Sequence, residues 1–258
     1  MKLFIQKILR LLSKLIIKRY KPKVIGITGS VGKTSTKEAI FIVLAARFKT
    51  RKNIKNYNNE IGTPLTIIGE ETADKSVFGW LRIFLKAIFL LLFKSENYPE
   101  VLILELGIDR PGDMKYLTGF TKCDIGVVSA VGDTPVHIEF FGTQENIVKE
   151  KSVLIKSLSV GGLAILNYDD KSVLNMKNET KEKVITFGFN KGADVRAIEI
   201  NFSSGQWVLE NGDKGTSFKI TYQGSTVPVR LIKVFGTQQV YAVLAAVAVG
   251  LSLGINLV

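Results

Sequence analysis

Hydrophobic positions along this chain follow two rhythms. In "KVIGITG" (Lys23–Gly29), "VLILELG" (Val101–Gly107), "DIGVVSAV" (Asp124–Val131), "GGLAILNYDD" (Gly161–Asp170) and "KVITFG" (Lys183–Gly188) the apolar residues run almost unbroken. Such runs mark strands buried on both faces. Between them, apolar residues recur every three to four positions. That spacing predicts helices over Lys33–Ala46, from "RPGDMKYL" with Pro111 in its first turn, and over "TQENIVKEKSVLIKSL" (Thr143–Leu158). Short strands separated by helices predict an α/β fold with a mainly parallel sheet. From Asp194 to Phe235 the texture changes. "VRAIEINF", "GQWVLEN", "SFKITYQ" and "STVPVRLIKV" predict an antiparallel meander appended to that sheet, and "QQVYAVLAAVAVGLSLG" a closing helix of small residues. No internal repeat or low-complexity linker is present.

Two apolar segments stand outside this alternation. In "MKLFIQKILRLLSKLIIKRYKPK" polar residues fall at Lys2, Gln6, Arg10, Ser13, Lys14 and Lys18, which predicts an amphipathic helix over residues 1–22. Basic residues interrupt its apolar run, so it does not span a bilayer. No small-residue cleavage site follows, and Pro22 leads directly into a strand, which argues against a signal peptide. A basic amphipathic helix lying in an anionic membrane surface fits this pattern, with packing on its own domain as the alternative. "WLRIFLKAIFLLLFK" (Trp80–Lys94) is apolar nearly all round and short for a span. Its two readings are a buried partner of the first helix, the commoner fate, and a second interfacial anchor.

Composition narrows the classes. The 258 residues supply ample core, and the net charge of +12 calls for an anionic partner. Much of the basic excess sits at Lys2, Lys7, Arg10, Lys14, Lys18, Arg19, Lys21 and Lys23, with no acid before Glu38. No basic–aromatic stripe accompanies it, so anionic lipid or phosphate-rich small molecules are expected and nucleic acid is not. A single cysteine, Cys123, excludes an internal disulfide, and a single histidine, His137, excludes a poly-histidine metal centre. A reducing, cytoplasmic setting follows, with the first helix suggesting a peripheral position at the inner face of the membrane.

The chemistry concentrates in "VIGITGSVGKTSTKE" (Val24–Glu38). A strand, a glycine turn, Gly32-Lys33-Thr34 and a helix form the right context for phosphate. Backbone N–H groups of Gly29, Ser30, Val31, Gly32 and Ser35 and the helix N-terminus face an anion; Lys33 reaches the terminal phosphates and Thr34 a Mg²⁺ ion. Yet the Walker pattern places a glycine where this chain has Ile27. On the loop alone, a nucleotide site and a structural glycine turn both remain open.

Other stretches favour the first. The loop "TGSVGKTS" resembles the ATP loop of the Mur ligase family, whose members lack the Walker glycine at this place. "NYNNEIGTPLT" (Asn56–Thr66) resembles the stretch that sets the tripeptide–D-alanyl-D-alanine ligases apart within that family. "LELGIDRPGDM", "HIEFFGTQENIVKEKSVLI" and "ILNYDD" resemble its acidic strand end, its histidine-and-lysine segment and its next strand end, in the family's order. The resemblance covers residues 24–258. It implies a central ATP-binding domain over 23–258. The implied reaction activates a peptide carboxylate of a UDP-linked muramoyl peptide as an acyl phosphate, which the amine of D-alanyl-D-alanine attacks. It also implies residue roles: Lys33, His137 and Lys151 in catalysis; Thr34, Glu105, His137 and Lys151 at magnesium, with Lys151 carbamylated; Asn58 and Asn59 at the substrate; Gln239 at the nucleotide.

Three departures from the family pattern bear on these expectations. The family's N-terminal uridine-nucleotide domain gives way here to the basic helix. Its C-terminal domain, which completes the ATP site, would begin where the chain ends at Val258. The family's G-x-H-N-x-x-N signature reads "GTQQVYA", so Gln238, Gln239 and Ala242 replace His, Asn and Asn and alter the adenine contacts. Beside the ligase, two alternatives stand: a membrane-associated nucleotide-binding protein without ligation, and a sister ligase with another amino-acid substrate.

Overall fold

The computed structural model describes residues 2–54, 57–132, 138–202 and 214–257. Six parallel strands form the centre: β1 (Lys23–Thr28), β2 (Thr50–Lys52), β3 (Val101–Glu105), β4 (Ile125–Val128), β5 (Leu163–Asn167) and β6 (Lys183–Gly188). Then β7 (Val195–Phe202) joins β6 in parallel, and β8 (Gly215–Tyr222) and β9 (Ser225–Ile232) add antiparallel ribbons. Among the described residues the sheet order is β2-β3-β1-β4-β5-β6-β7-β8-β9. Gln223 and Gly224, both at positive φ, close the β8–β9 hairpin, whose tight turn requires that conformation. The predicted strand "GQWVLEN" and His137 lie outside the described residues.

The unbroken apolar runs have a direct cause, because the sheet is covered on both faces. Val24, Leu102, Leu104 and Val128 point into one core, and Ile25, Ile27, Ile103 and Val127 into the other. The first core is closed by α1 (Lys2–Tyr20), α3 (Gly62–Ile68), α4 (Val77–Leu92), α5 (Asp113–Thr121) and α7 (Gln144–Lys156). The second is closed by α2 (Lys33–Ala45), α9 (Thr237–Ser252) and the antiparallel strands. Gly26 occupies a first-core position in β1; a Cβ there would lie 2.6 Å from the Cys123 sulfur, so no larger residue fits without displacement.

β1 lies between β3 and β4, and the chain leaves it toward one side before crossing to the other. That reversal opens a crevice at the carboxyl ends of the strands, the usual ligand position in such sheets.

α1 packs on its own domain. Leu9, Ser13 and Ile16 are fully buried, Gln6 donates to Glu60 at 2.8 Å, and the Arg10 guanidinium lies 4.6 Å from the Tyr116 ring centre. Its last turn meets the end of α4: the Tyr20 hydroxyl stands 3.0 and 3.1 Å from the carbonyl oxygens of Leu90 and Phe93. In α4, Ile83, Ala87 and Leu90 are buried while the opposite face is exposed. No helix among the described residues is long and apolar enough to cross a membrane.

Several predicted boundaries shift, among them those of α7, which spans Gln144–Lys156 within the predicted Thr143–Leu158, and of α5 and α2. α5 starts at Asp113, so Pro111 precedes the helix instead of lying in its first turn. The Asp113 carboxylate accepts the N–H groups of Asp109 and Arg110 at 2.9 and 2.7 Å, which holds 109–112 as a loop. α2 ends at Ala45, one residue early. Short β2, α3, α6 (Ile138–Phe141) and α8 (Lys171–Asn175) have too few residues to show a period and are seen only in the structure.

Candidate functional site

The loop after β1 is pressed against the end of β4. The Ser30 N–H donates to the Ala130 carbonyl at 2.6 Å, and the Ser129 hydroxyl donates to the Val31 carbonyl at 2.6 Å. Gly29 has φ +147°, and a Cβ on it would fall 2.1 Å from the Ser129 hydroxyl. Gly32, at φ +84°, stands at the N-cap of α2 without a side-chain cap, leaving first-turn N–H groups for a ligand. Ile27 is fully buried within β1, so the position of the missing Walker glycine belongs to the strand and the chain bends at Gly29 instead.

Lys33 folds back over this loop, donating to the carbonyls of Gly29 at 2.9 Å and Ser30 at 3.3 Å. Burial pulls its pKa down, opposed by the charges of Glu105 and Asp109. From α7, Lys151 reaches the same Gly29 carbonyl at 3.0 Å. It is buried, and desolvation together with the Lys33 charge brings its pKa down to about 7, Glu150 opposing. Lys149, two residues earlier, is exposed, so the helix selects between the two lysines.

Glu105, at the carboxyl end of β3 and only 3% exposed, is the other centre. Its carboxylate accepts from the Thr34 hydroxyl and the Asn58 amide, each at 3.2 Å, and lies 3.4 Å from the Lys37 ammonium. Its backbone N–H donates to the buried Asn53 side chain. Asn59 plays a different part: its side-chain oxygen accepts the N–H groups of Ile61 at 3.1 Å and Gly62 at 2.9 Å, fixing the entry to α3. Gln239, on α9, donates to the Ser35 hydroxyl at 3.3 Å, next to the start of α2. Ala242 is buried in the helix packing. Two partners of the site escaped sequence reasoning, Lys37 and Asn53. Lys37 carried a signal: it lies three residues after Thr34, hence on the same helix face.

A cavity of about 100 Å³ is lined by Gly29, Ser30, Lys33, Asn58, Asp109 and Lys151. It adjoins a cleft of about 810 Å³ that shares Asn58, Gly107 and Asp109 and extends past Asn59, Glu60 and Arg110. Two lysines in its lining, Lys33 and Lys151, beside a helix N-terminus and against one lining acid, Asp109, make this an anion site. Among the described residues no three His, Cys, Asp or Glu side chains converge. Thr34 and Glu105, hydrogen-bonded beside the loop, are nevertheless the oxygen donors that a hard divalent cation prefers.

The family model described as Mur ligase middle domain matches residues 27–78 and 86–250. The chain belongs to the Mur ligase family. Among its relatives, the UDP-N-acetylmuramoyl-tripeptide–D-alanyl-D-alanine ligase of Bacillus subtilis (strain 168) is 27% identical over 248 residues, covering 96% of this chain and 45% of that protein. The ligase of the same name from Buchnera aphidicola is 29% identical over 235 residues, covering 91% and 43%. The crystal structure of the MurF ligase from Thermotoga maritima in complex with ADP is 25% identical with a TM-score of 0.76, covering 97% of this chain and 50% of that one. The chain thus spans about half the length of the curated relatives it matches.

Proposed function

We propose that this chain is the ATP-binding core of an amide-forming ligase of peptidoglycan-precursor synthesis. The observation that carries the proposal is the convergence of Lys33 and Lys151 on the Gly29 carbonyl, beside the Thr34–Glu105 pair at the end of the next strand. Lys33 and the N–H groups from Gly32 to Ser35 at the start of α2 hold the β- and γ-phosphates of ATP, while those of Ser30 and Val31 tie the loop to Ala130. Gln239 borders the nucleotide through Ser35. Thr34 and Glu105 fit Mg²⁺, with His137 as a further ligand by family resemblance. The ion, when bound, neutralises charge that develops on the transferring phosphoryl group.

Lys151 suits the carbamylation that the family resemblance implies. Its amine, neutral above its lowered pKa, bonds to CO₂ and loses one proton, giving an anionic carbamate. The new charge offsets Lys33 and Lys37 and would supply an anionic oxygen ligand for a second magnesium ion. The terminal carboxylate of the muramoyl peptide, a UDP-linked substrate in the cleft lined by Asn58 and Asn59, attacks the γ-phosphorus and ADP leaves. The amine of D-alanyl-D-alanine then attacks the acyl phosphate, releasing phosphate and forming the amide. Most of the catalytic work is positioning and charge stabilisation, which this array of cations supplies. The setting is cytoplasmic, with peripheral association at an anionic inner membrane face.

The test uses the polypeptide that carries this chain, with MgATP, D-alanyl-D-alanine and a muramoyl tripeptide labelled with ¹⁸O in its terminal carboxylate. Transfer of one ¹⁸O into the released phosphate, with amide product, is expected. ATP binding without labelled phosphate or product would instead favour a nucleotide-binding protein without ligation.

A further inference from the structure

One surface is left over by the nucleotide chemistry. α1 and α4 pack side by side on the first core; α1 borders the cleft through Leu3 and Gln6, whereas α4 lines neither the cleft nor the small cavity beside the loop. With Ile83, Ala87 and Leu90 turned inward, α4 presents Phe78, Leu81, Leu85, Ile88, Phe89 and Leu92 to solvent, between 44% and 85% exposed. Their spacing puts them on one helix face. They border an open apolar groove of about 610 Å³. Soluble monomers rarely expose so continuous an apolar surface without a partner.

Charge indicates the partner. Neither α1 nor α4 contains an acid. α1 exposes Lys7, Lys14 and Lys18 on the same face as Phe4, Leu11 and Leu15, while its apolar inner face is spent on the domain. On α4 the flanking Arg82 and Lys86 both pair with Glu70, each at 2.9 Å, and the acids nearest along the chain, Glu71, Asp74 and Glu96, fall beyond its ends. A face of apolar residues bordered by cations repels a second copy of itself but suits a layer whose headgroups are anionic and whose interior is apolar. Lysines of α1 reach the headgroups along their own stems. The family model leaves unmatched residues 1–26, 79–85 and 251–258; the first stretch holds α1 and the start of β1, and the second much of the first half of α4.

We propose that the outward face of α4, bordered by the exposed lysines of α1, docks this protein in the plane of an anionic lipid bilayer. The inference rests on the peripheral placement proposed above and moves its anchor: α4 inserts, and α1 supplies charge and holds α4 through Tyr20. It is independent of the ligase chemistry.

Flotation of the 258-residue chain with phosphatidylcholine vesicles, with and without phosphatidylglycerol, tests it. The variant combines Leu85→Glu and Phe89→Glu, both exposed positions, and is expected to keep the wild-type melting transition, which thermal denaturation checks. The wild type is expected to float with anionic vesicles, at least tenfold less with neutral ones, and the variant to lose at least tenfold in apparent affinity. Flotation of the variant equal to wild type would remove α4 as the anchor while leaving peripheral placement intact. A wild type that never floats would overturn both, as would a dimer in sedimentation that the variant dissociates. Equal binding to neutral vesicles would overturn the anionic assignment. MgATP titration of the same variant keeps this outcome separate from the nucleotide site.

Discussion

Lys33 and Lys151 donate to one acceptor, standing 2.9 and 3.0 Å from the carbonyl oxygen of Gly29. Two cations on one carbonyl, both shielded from water, are held at the expense of their charge. Lys151 yields first, because it is the more deeply buried and Lys33 repels it. The pair therefore supplies two opposite needs from one place: a permanent cation for phosphate and an amine neutral enough to react.

A pH dependence follows from the Lys151 pKa of about 7. Above it the folded protein holds this lysine neutral, whereas the unfolded chain keeps the proton to about pH 10.4. Between those values the unfolded state binds more protons, so this group makes stability rise with pH, by at most about 1.4 kcal/mol per pH unit. Lys151→Met is expected to abolish that rise, compared by urea unfolding at pH 7, 8 and 9. Carbon-13 NMR with labelled bicarbonate should show a carbamate signal that grows from pH 6 to 8 and is absent in Lys151→Met.

Glu105 and Lys37 form a pair in which both side chains are almost wholly buried. Removing one charge of such a pair costs about 3 kcal/mol, since the other stays behind in a low dielectric, although Lys37 retains the more exposed Glu38 at 3.8 Å. Glu105→Gln and Lys37→Met are each expected to lower the unfolding free energy read from urea titration by that order. In the double variant the losses should be clearly less than additive, a coupling that a double-mutant cycle reads directly. Glu105→Gln should also weaken the magnesium dependence of nucleotide binding.

Packing under the loop gives a third expectation. Gly26→Ala would set a methyl 2.6 Å from the Cys123 sulfur and 3.0 Å from a Leu154 methyl. Overpacking of this kind costs about 1–3 kcal/mol. Thermal denaturation should show the loss, and a second change, Cys123→Ala, should recover part of it by removing the sulfur.

Much of this arrangement was legible beforehand, for reasons that differ by element. β1, β3, β4, β5 and β6 were readable because strands covered on both faces have no polar positions to confuse them. The loop was readable because glycine, lysine and threonine must follow a strand in fixed order. β2 and α3 were not, since three and seven residues carry no period. The amphipathic pattern of α1 was correctly found, but periodicity cannot say what covers an apolar face; Leu9 and Ile16 are covered by the domain itself. Asn58 and Asn59, adjacent and alike in sequence, diverge in space: one meets Glu105 and the other caps α3. Only tertiary contact separates them.

The central claim, a formed phosphate site at this loop, is tested most directly by calorimetric titration of MgATP into the chain beside Lys33→Ala. Lys33, the first residue of α2, contributes to neither core, so the variant is expected to fold and to lose at least tenfold in affinity, about 1.4 kcal/mol. Equal binding by both proteins, or none by either, would contradict the assignment and leave the loop a structural turn.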